Sequence, residues 1–244
     1  MPQELIELYG SPTPNVFKVL IALEEAGLAY ALRPINVWKG QQFEDWFVSL
    51  NPNSKVPVIV DHAGAEGGPA VVFESCAILL YIAEKTRVGL PADGAARSSV
   101  LQWLFFQAAN LGPMTGQMNH FNLYAPQAES YSRSRYTTEV ARLFDVLELQ
   151  LGRSSYFGSD DFSIADMAIY PWVAHVHARY AEALPFADVA SSDHERLVDW
   201  TRRCAARAAV VRAQEVFSSI KSTLSAATEE ERDRVFGRNA FARA

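Results

Sequence analysis

The spacing of hydrophobic residues changes character about a third of the way along the chain. In the first part, short apolar runs between turn-forming residues alternate with segments whose apolar residues recur at helical spacing. The order is strand, helix, strand, short helix, two strands and helix, predicted at residues 5–9, 16–26, 30–37, 45–50, 56–60, 70–73 and 74–85. That order is typical of a mixed sheet covered by helices rather than a purely parallel sheet.

The rest of the sequence has helical spacing and no strand pattern. Helices are predicted at residues 96–117, 131–151, 195–206 and 209–223, with another from Ser163 and an irregular stretch at 118–130. A glycine- and proline-containing linker at 86–95 marks the boundary. We therefore predict an α/β N-terminal domain (1–88), an all-α C-terminal domain (96–225) and a C-terminal extension (226–244). The acidic residues after Thr228 predict a helix start in the extension, which we expect to be solvated or in a dimer contact, with a lid as the alternative.

Composition narrows the class of protein. The 244 residues are 49% hydrophobic and 20% charged, as in globular proteins, and the net charge of -6 offers no basic face for nucleic acid or an anionic membrane. The N-terminal segment does not resemble a signal peptide, and the two cysteines form no CxxC pair. Clustered Cys/His or HExxH patterns do not occur in the sequence. We expect a cytoplasmic protein without a metal, a membrane anchor or a nucleic-acid partner.

Two short motifs in the first domain have candidate binding chemistry. Pro57 opens an apolar strand, and a cis bond after Val56 would turn the Val56 backbone outward, where it can pair with an extended peptide ligand. The loop at residues 11–15 leads into a helix. There Thr13, Asn15 and nearby amides can donate hydrogen bonds to a thiolate, which lowers the pKa of the thiol. The alternative for Asn15 is a helix cap.

A third motif, Glu74-Ser75, stands where a strand meets a helix. Ser75 can cap the helix. The same free N–H groups and positive dipole end can instead hold a ligand carboxylate, with Glu74 pairing with an ammonium group. An α-amino acid head has both groups, so the pair suits a γ-glutamyl end. The sequence alone leaves both interpretations open.

Together these motifs resemble the soluble glutathione transferases. In that family a Val-Pro or Ile-Pro with a cis bond precedes the third strand, and a Glu-Ser pair opens the third helix. Phe162–Asp166 resembles the family's buried capping box, with Ser163 as the N-cap and Asp166 at the third helical position. The narrower resemblance is to the bacterial nu class, in the segments 13–15, 39–43, 51–57, 102–107 and 111–121. The implied architecture is an α/β thioredoxin-like N-terminal domain with an all-α C-terminal domain.

The resemblance implies a glutathione transferase or a glutathione-dependent disulfide-bond reductase that forms a homodimer. Glutathione would bind as the thiolate and attack a small electrophile or disulfide, with Thr13 and Asn15 as the catalytic residues. The implied glutathione-binding residues are Asn15, Gln42, Lys55, Val56, Glu74, Ser75 and Arg135. The expected acceptor-pocket residues are Trp103, Phe106, Met114, His120 and Phe121.

Several alternatives stay open at this point. Arg135 equally suits a solvated helix face, and Tyr9 is an alternative residue for activating the sulfur. The competing function is a glutathione-binding regulatory protein of the same fold with little catalysis. The acceptor substrate, and the choice among conjugation, disulfide reduction and ether cleavage, are not determined by the sequence.

Overall fold

A computed structural model describes residues 6–64, 67–125, 129–190 and 193–241. Contacts divide the chain into two compact units. The first unit contains Met1–Lys85 together with Arg212–Ala244, and the second contains Thr86–Val211. Leu5, predicted to open the first strand, and residues 65–66 of the glycine-rich turn lie outside the described residues.

The first unit is built on a four-stranded mixed sheet. Its strands are β1 (Ile6–Gly10), β2 (Tyr30–Pro34), β3 (Val58–Asp61) and β4 (Ala70–Phe73), in the spatial order β2-β1-β3-β4. β1 is parallel to β2 and antiparallel to β3, and β4 is antiparallel to β3. The helices are α1 (Pro14–Glu25), α2 (Asp45–Leu50) and α3 (Ser75–Thr86), with 3-10 turns at Val37–Lys39 and Gln41–Phe43. This element order and topology confirm the thioredoxin-like domain.

The core of this unit lies between the sheet and its helices. All four residues of β3 are buried, and β1 buries every second residue, so β3 is covered on both faces. Helix α1 buries eight consecutive residues, 16–23, which requires cover on more than one side. Part of that cover comes from α9 (Ala208–Ser219), whose Phe217 stacks on Phe17 with ring centroids 4.9 Å apart.

The described C-terminal residues, 226–241, belong to the first unit and pack against its turn at Val37–Lys39, with most of them still exposed to solvent. The predicted helix start is confirmed: α10 (Glu229–Phe236) begins with a reciprocal capping box between Thr228 and Glu231. Glu231 forms an ion pair with Lys39 at 2.7 Å, and the guanidinium of Arg234 lies 5.5 Å from the ring centroid of Phe43. Residues 212–225, which we assigned to the helical domain, also cluster with this unit.

The second unit is helical. Its helices are α4 (Gly94–Phe106), α5 (Gly112–Asn119), α6 (Ser130–Leu151), α7 (Ile164–Tyr180) and α8 (Glu195–Ala205). A π-helical turn at Gln107–Leu111 joins α4 to α5, and another at His120–Tyr124 follows α5. The predicted irregular stretch is therefore wrong for residues 118–124, which continue the helix. Pro113 accounts for the first π turn, because its ring clashes with the carbonyl four residues earlier and it has no N–H to donate.

The predicted capping box of the second unit is confirmed. Ser163 is the N-cap of α7, and its side chain accepts a hydrogen bond from the N–H of Ala165 at 3.2 Å. Asp166, at the third helical position, returns the interaction by accepting from the N–H of Ser163 at 2.9 Å. This part of the sequence therefore has a structural role that its pattern predicted. No helix among the described residues is long and apolar enough to cross a membrane.

Helix α7 also contains a buried histidine, His177, whose ring is not stabilised by hydrogen bonds from the described residues. His177 is only 6% exposed, and within the described part of the chain neither ring nitrogen has a hydrogen-bond partner. Its ring packs edge-on against Phe144, with centroids 5.7 Å apart. Burial, reinforced by the charge of His194, lowers the pKa of His177 to about 4. The folded protein therefore holds this side chain neutral.

We expect His177→Phe to make the protein more resistant to mild acid. The folded-state pKa lies below the usual 6.5, so only the unfolded chain takes up this proton, and stability is lost as the pH falls from 6.5 towards about 4. Phenylalanine removes that loss, so the variant should gain about 1–2 kcal/mol over wild type between neutral pH and about pH 5. Urea unfolding at the two pH values measures the difference. An identical pH dependence in the two proteins would contradict the expectation.

Candidate functional site

The register of the sheet brings four chain segments to one edge. Tyr9 of β1 lies opposite Val58 of β3, which lies opposite Phe73 of β4. The next residue of β1, Gly10, lies opposite Pro34 of β2. The segments that follow β1, β2 and β4, and the one that precedes β3, therefore all meet the sheet at this edge. They contain the predicted residues Thr13, Asn15, Gln42, Lys55, Val56, Glu74 and Ser75.

Thr13 begins helix α1 at this edge. Its backbone is extended, and its Oγ1 accepts a hydrogen bond from the N–H of Val16 at 3.3 Å. Pro14 is the first helical residue, and Asn15 lies half-buried in the first turn. The alternative that Asn15 caps the helix is therefore wrong, because Thr13 is the cap. A hydroxyl, an amide and main-chain N–H groups surround the positive end of the helix dipole, where a thiolate is stabilised.

The segment before β3 has main-chain groups that lie outside the sheet ladder. The bond between Val56 and Pro57 is cis, as the resemblance implies. Because β3 begins only at Val58, the main-chain N–H and C=O of Val56 lie outside the sheet ladder. Lys55 is exposed and Val56 half-buried. The side chain of Asn51 holds the preceding turn by donating to the carbonyl of Lys55 at 2.7 Å, a role that the sequence analysis did not single out.

Glu74 occupies the junction between β4 and α3 in a strained conformation. Its φ of 70° lies in the left-handed region that residues other than glycine rarely adopt. Its carbonyl accepts the N–H of Ile78 at 2.9 Å, so Glu74 is the cap and Ser75 the first helical residue. The interpretation of Ser75 as the N-cap is therefore wrong by one position. The exposed Glu74 carboxylate and the half-buried Ser75 hydroxyl stand together at the positive end of α3.

A buried lysine lies against this junction. Lys18 of α1 is 2% exposed, and its Nζ lies 3.2 Å from the Oγ of Ser75 and 4.0 Å from the Sγ of Cys76. Burial lowers the pKa of Lys18 to about 8, although Cys76 and Glu74 act in the opposite direction. We did not predict this residue from the sequence. The available signal was a single charge within the apolar run at residues 16–23.

The cysteine beside Lys18 is a weak nucleophile. Burial raises the pKa of the Cys76 thiol, and the charge of Lys18 offsets only part of that effect. A thiol rather than a thiolate therefore predominates at neutral pH. Cys204 is fully buried in the second unit. Both observations favour a ligand thiol over a protein cysteine as the reacting sulfur.

Gln42 lies in the turn Gln41–Phe43, which follows β2. Gln42 is only 4% exposed, and no group in the described ranges donates a hydrogen bond to its Oε1. A buried amide oxygen without a partner costs about 1–3 kcal/mol, which a ligand N–H would recover. The turn itself is fixed by Asn36, whose N–H donates to the Oε1 of Gln41 at 2.7 Å. Gln42 therefore fits a ligand-binding role.

The contacts of Tyr9 are with Glu7, Trp46 and a small hydrophobic core. Its hydroxyl donates to the Oε2 of Glu7 at 3.2 Å, and its ring lies 6.0 Å from that of Trp46. Burial and the charge of Glu7 raise the pKa of Tyr9. The ring also packs on a small core that includes Phe47 and Val58. These contacts favour a structural role for Tyr9.

The second unit contains the predicted acceptor-pocket residues, all half-buried. Trp103 and Phe106 of α4 are in edge contact, with ring centroids 5.1 Å apart. His120 and Phe121 lie in the second π turn, 5.2 Å apart, and Met114 lies on α5. π turns are rare and frequently occur at functional sites. Two of the predicted pocket residues therefore lie on α4 and two lie in the second π turn. Met114 lies on α5, between these two pairs in the chain.

Arg135 lies on the exposed part of α6. Its Nη1 pairs with the Oε2 of Glu139 at 3.1 Å, and its side chain is 52% exposed. Glu139 is shared with Arg142, and these two arginines, Arg142 foremost, lower the pKa of Glu139 to about 2. The Arg135 guanidinium therefore already contacts one carboxylate in its own helix.

Two other features of the structure bear on ligand binding. Across the described residues, no group of three or more His, Cys, Asp or Glu side chains is arranged to hold a metal ion. A polar cleft of about 600 Å³ in the second unit contains none of the predicted site residues. Its charged lining is mixed in sign: Arg153, Arg196, Arg203, Asp160, Glu195 and Asp199. The sheet edge of the first unit is therefore the candidate site.

Comparison with known proteins assigns the family. The glutathione S-transferase N-terminal domain matches residues 4–84, and the corresponding C-terminal domain matches residues 130–203. The disulfide-bond oxidoreductase YfcG of Escherichia coli is 45% identical over 194 residues, which cover 79% of this chain and 90% of YfcG. The disulfide-bond oxidoreductase YghU of the same organism is 39% identical, with 86% of this chain and 74% of YghU covered.

Solved structures agree with this assignment. A Pseudomonas putida glutathione transferase, with one glutathione disulfide bound per subunit, is 37% identical, with a TM-score of 0.81 over 87% of this chain and 92% of that one. A Streptococcus pneumoniae glutathione transferase YghU, complexed with glutathione, is 40% identical, with a TM-score of 0.81 over 88% of this chain and 84% of that one. The protein belongs to the glutathione transferase family, and it resembles the bacterial members that include disulfide-bond oxidoreductases.

Proposed function

We propose that the protein is a glutathione-dependent enzyme that uses bound glutathione thiolate to reduce small disulfides. The observation that carries the proposal is the meeting of four segments at one sheet edge, since these segments contain every predicted glutathione-binding residue except Arg135. The binding of glutathione disulfide by the Pseudomonas putida relative and the name of YfcG support the choice of disulfide chemistry.

Each group at the edge suits one part of the tripeptide. Ser75 and the N–H groups at the start of α3 would hold the γ-glutamyl carboxylate, and Glu74 would pair with its ammonium group. The main-chain groups of Val56, which lie outside the sheet ladder, would pair with the cysteinyl residue. Gln42 and Lys55 would bind the peptide groups and the terminal carboxylate. In this arrangement the ligand sulfur would lie towards Thr13, Asn15 and the first turn of α1.

The proposed reaction is thiol–disulfide exchange in two steps. The glutathione thiolate attacks one sulfur of the substrate disulfide, and the S–S bond breaks to release the other sulfur as a thiolate, which takes up a proton. A second glutathione thiolate then attacks the glutathione sulfur of the mixed disulfide. That step releases the second substrate thiol and leaves glutathione disulfide. Glutathione supplies both electrons, and the protein lowers the barrier by binding and orienting the thiolate.

Turnover of hydroxyethyl disulfide and of a chlorodinitrobenzene, each with reduced glutathione, tests the proposal. Fast disulfide turnover with weak conjugation would support it. The reverse result would replace it with a conventional transferase. Glutathione binding with neither reaction would favour the competing function, a regulatory protein that retains only the binding pocket.

Asn15→Ala should raise the pKa of bound glutathione. The substitution removes an amide donor from the first turn of α1, and a thiolate that loses a hydrogen bond is less stable relative to its thiol. Titration of the thiolate absorbance of the complex measures the pKa directly. The exposed Asn53→Ala is a suitable control, with no expected change. An unchanged pKa in Asn15→Ala would remove Asn15 from the catalytic group.

The remaining assignments belong to the same proposal. We propose that Arg135 binds a carboxylate group of glutathione, because an arginine side chain can hold a carboxylate through two hydrogen bonds. Trp103, Phe106, Met114, His120 and Phe121 would line the acceptor pocket. Asn15→Ala and an Arg135→Ala variant, compared for KM and kcat with each substrate, would separate sulfur activation from binding.

We also propose a cytoplasmic homodimer. Exposed apolar side chains on the first unit support an interface: Val71 is 46% exposed, Trp46 44% and Phe73 38%. Val71 and Phe73 belong to the edge strand β4, so a partner would cover both. Sedimentation at micromolar concentration should give a dimer, and a monomer would count against it.

A further inference from the structure

We propose that Lys18 is a positioning residue that directs the Ser75 hydroxyl towards the γ-glutamyl carboxylate of glutathione. The inference rests on the proposed glutathione site. It starts from the contact between the buried Nζ of Lys18 and the Oγ of Ser75, 3.2 Å apart. The two residues are 57 positions apart in the sequence and lie on different helices, α1 and α3.

The direction of this hydrogen bond is fixed by chemistry. An ammonium group has three donors and no acceptor, so the Ser75 oxygen accepts from Lys18. The Ser75 O–H must then point to another acceptor. The Cys76 sulfur also interacts with Ser75, but sulfur is a weak acceptor. An incoming carboxylate would be a far better acceptor and would take the hydroxyl proton as a charge-assisted hydrogen bond.

Lys18 is a buried cation beside the start of α3. A buried cation costs free energy, and a cation near a helix N-terminus is repelled by the positive end of the dipole. The charged or titratable groups that act on Lys18 include Glu74 and Cys76, both from the start of α3. Glu74 is exposed and is assigned to the ligand ammonium. The proposed action of Lys18 on the ligand is through the Ser75 hydroxyl.

The decisive test is a double-mutant cycle with S-methylglutathione as the probe, because its thioether removes the thiol titration. Lys18→Met keeps the length of the side chain and should weaken binding by about tenfold, the value of a charge-supported hydrogen bond. In a Ser75→Ala background the same substitution should change affinity by less than about twofold, since Lys18 then has no hydroxyl to direct. Additive effects would overturn the proposal. Lys221→Met, which removes an exposed lysine, is the matched control and should bind like wild type.

A second probe locates the effect on the carboxylate. The tripeptide 4-aminobutyryl-cysteinylglycine, S-methylated, lacks only the γ-glutamyl carboxylate. Lys18→Met should bind this analogue as wild type does, whereas equal weakening for both ligands would indicate a general structural defect and overturn the inference. If wild type fails to bind S-methylglutathione, the proposed glutathione site fails. If wild type binds it and Lys18→Met binds equally well, only the role of Lys18 fails.

A measurement on the wild type avoids any folding defect of the variant. As the pH rises through about 8, Lys18 loses its proton. The neutral amine can then accept the Ser75 proton, which turns the hydroxyl inward. The affinity for S-methylated glutaryl-cysteinylglycine, which keeps the carboxylate but has no amino group, should fall across this range. The affinity for the 4-aminobutyryl analogue, whose alkylamine stays protonated there, should not. Parallel pH profiles for the two ligands would contradict the proposal.

Discussion

Asp166→Ala should destabilise the helical unit by about 3–5 kcal/mol, the largest stability effect expected in this protein. The carboxylate is fully buried and accepts four hydrogen bonds. Its Oδ2 accepts from the N–H and Oγ of Ser163, and its Oδ1 accepts from the N–H of Phe157 and the Nε1 of Trp200, all at 2.9–3.0 Å. Alanine leaves the three N–H donors buried without this acceptor, whereas the Ser163 hydroxyl still has the carbonyl of Phe157 at 3.2 Å. Chemical unfolding followed by circular dichroism measures the loss.

Two companion variants sharpen this expectation. Asp166→Asn keeps the shape but replaces one acceptor oxygen with an NH₂ group, which then faces a main-chain N–H whichever way the amide is oriented. We therefore expect it to be destabilised nearly as much as the alanine variant. Ser163→Ala loses the cap and one of the four hydrogen bonds to Asp166, and should cost about 1–2 kcal/mol. If Asp166→Asn were as stable as wild type, the four-acceptor role of the carboxylate would be wrong.

Glu74→Ala should weaken glutathione binding by about 10- to 100-fold, the largest expected effect on affinity from one side chain. The exposed carboxylate stands beside Ser75, where it can pair with the ligand ammonium. Alanine keeps the Cβ, so the cost of the φ of 70° is unchanged and the fold is not altered. Titration with glutathione measures the affinity, and Glu84→Ala, an exposed glutamate at the other end of α3, is the control.

Glu74→Gly separates binding from stability at the same position. Glycine adopts a positive φ without strain, so this variant should be more stable than wild type by about 1 kcal/mol while binding glutathione as weakly as the alanine variant. Such a pair of opposite effects would show that the strained conformation is kept for ligand binding. A glycine variant that binds as tightly as wild type would contradict the role of the carboxylate.

The sequence predicted the elements whose signals are local. Residues 45–50 form α2 with the bounds predicted, and the Ser163–Asp166 capping box and the Thr228 helix start are confirmed. Cap residues act on amides within one helical turn, so their chemistry is visible in a few adjacent positions. The second strand was predicted to reach Val37 but ends at Pro34, because a 3-10 turn fixed by Asn36 follows it.

The features that the sequence did not predict depend on distant partners. Lys18 is significant only because Ser75, far along the chain, lies against it. Helical spacing assigned residues 212–225 to the helical domain, yet periodicity cannot show which core a helix packs against. Arg212 bonds to Glu24 at 2.7 Å within the first unit, a contact that no local pattern contains. The candidate site was predicted through the family motifs, whereas its supporting residues were not.

The split of the first unit across both ends of the chain affects how the protein is made. On the ribosome, residues up to Lys85 emerge well before Arg212, with all of the second unit synthesised in between. At bacterial or eukaryotic translation speeds this delay is roughly 6 to 25 s. Throughout it Phe17 lacks Phe217, its stacking partner in the finished protein. We therefore expect the nascent first unit to be a substrate for chaperones until the last segment of the chain leaves the exit tunnel.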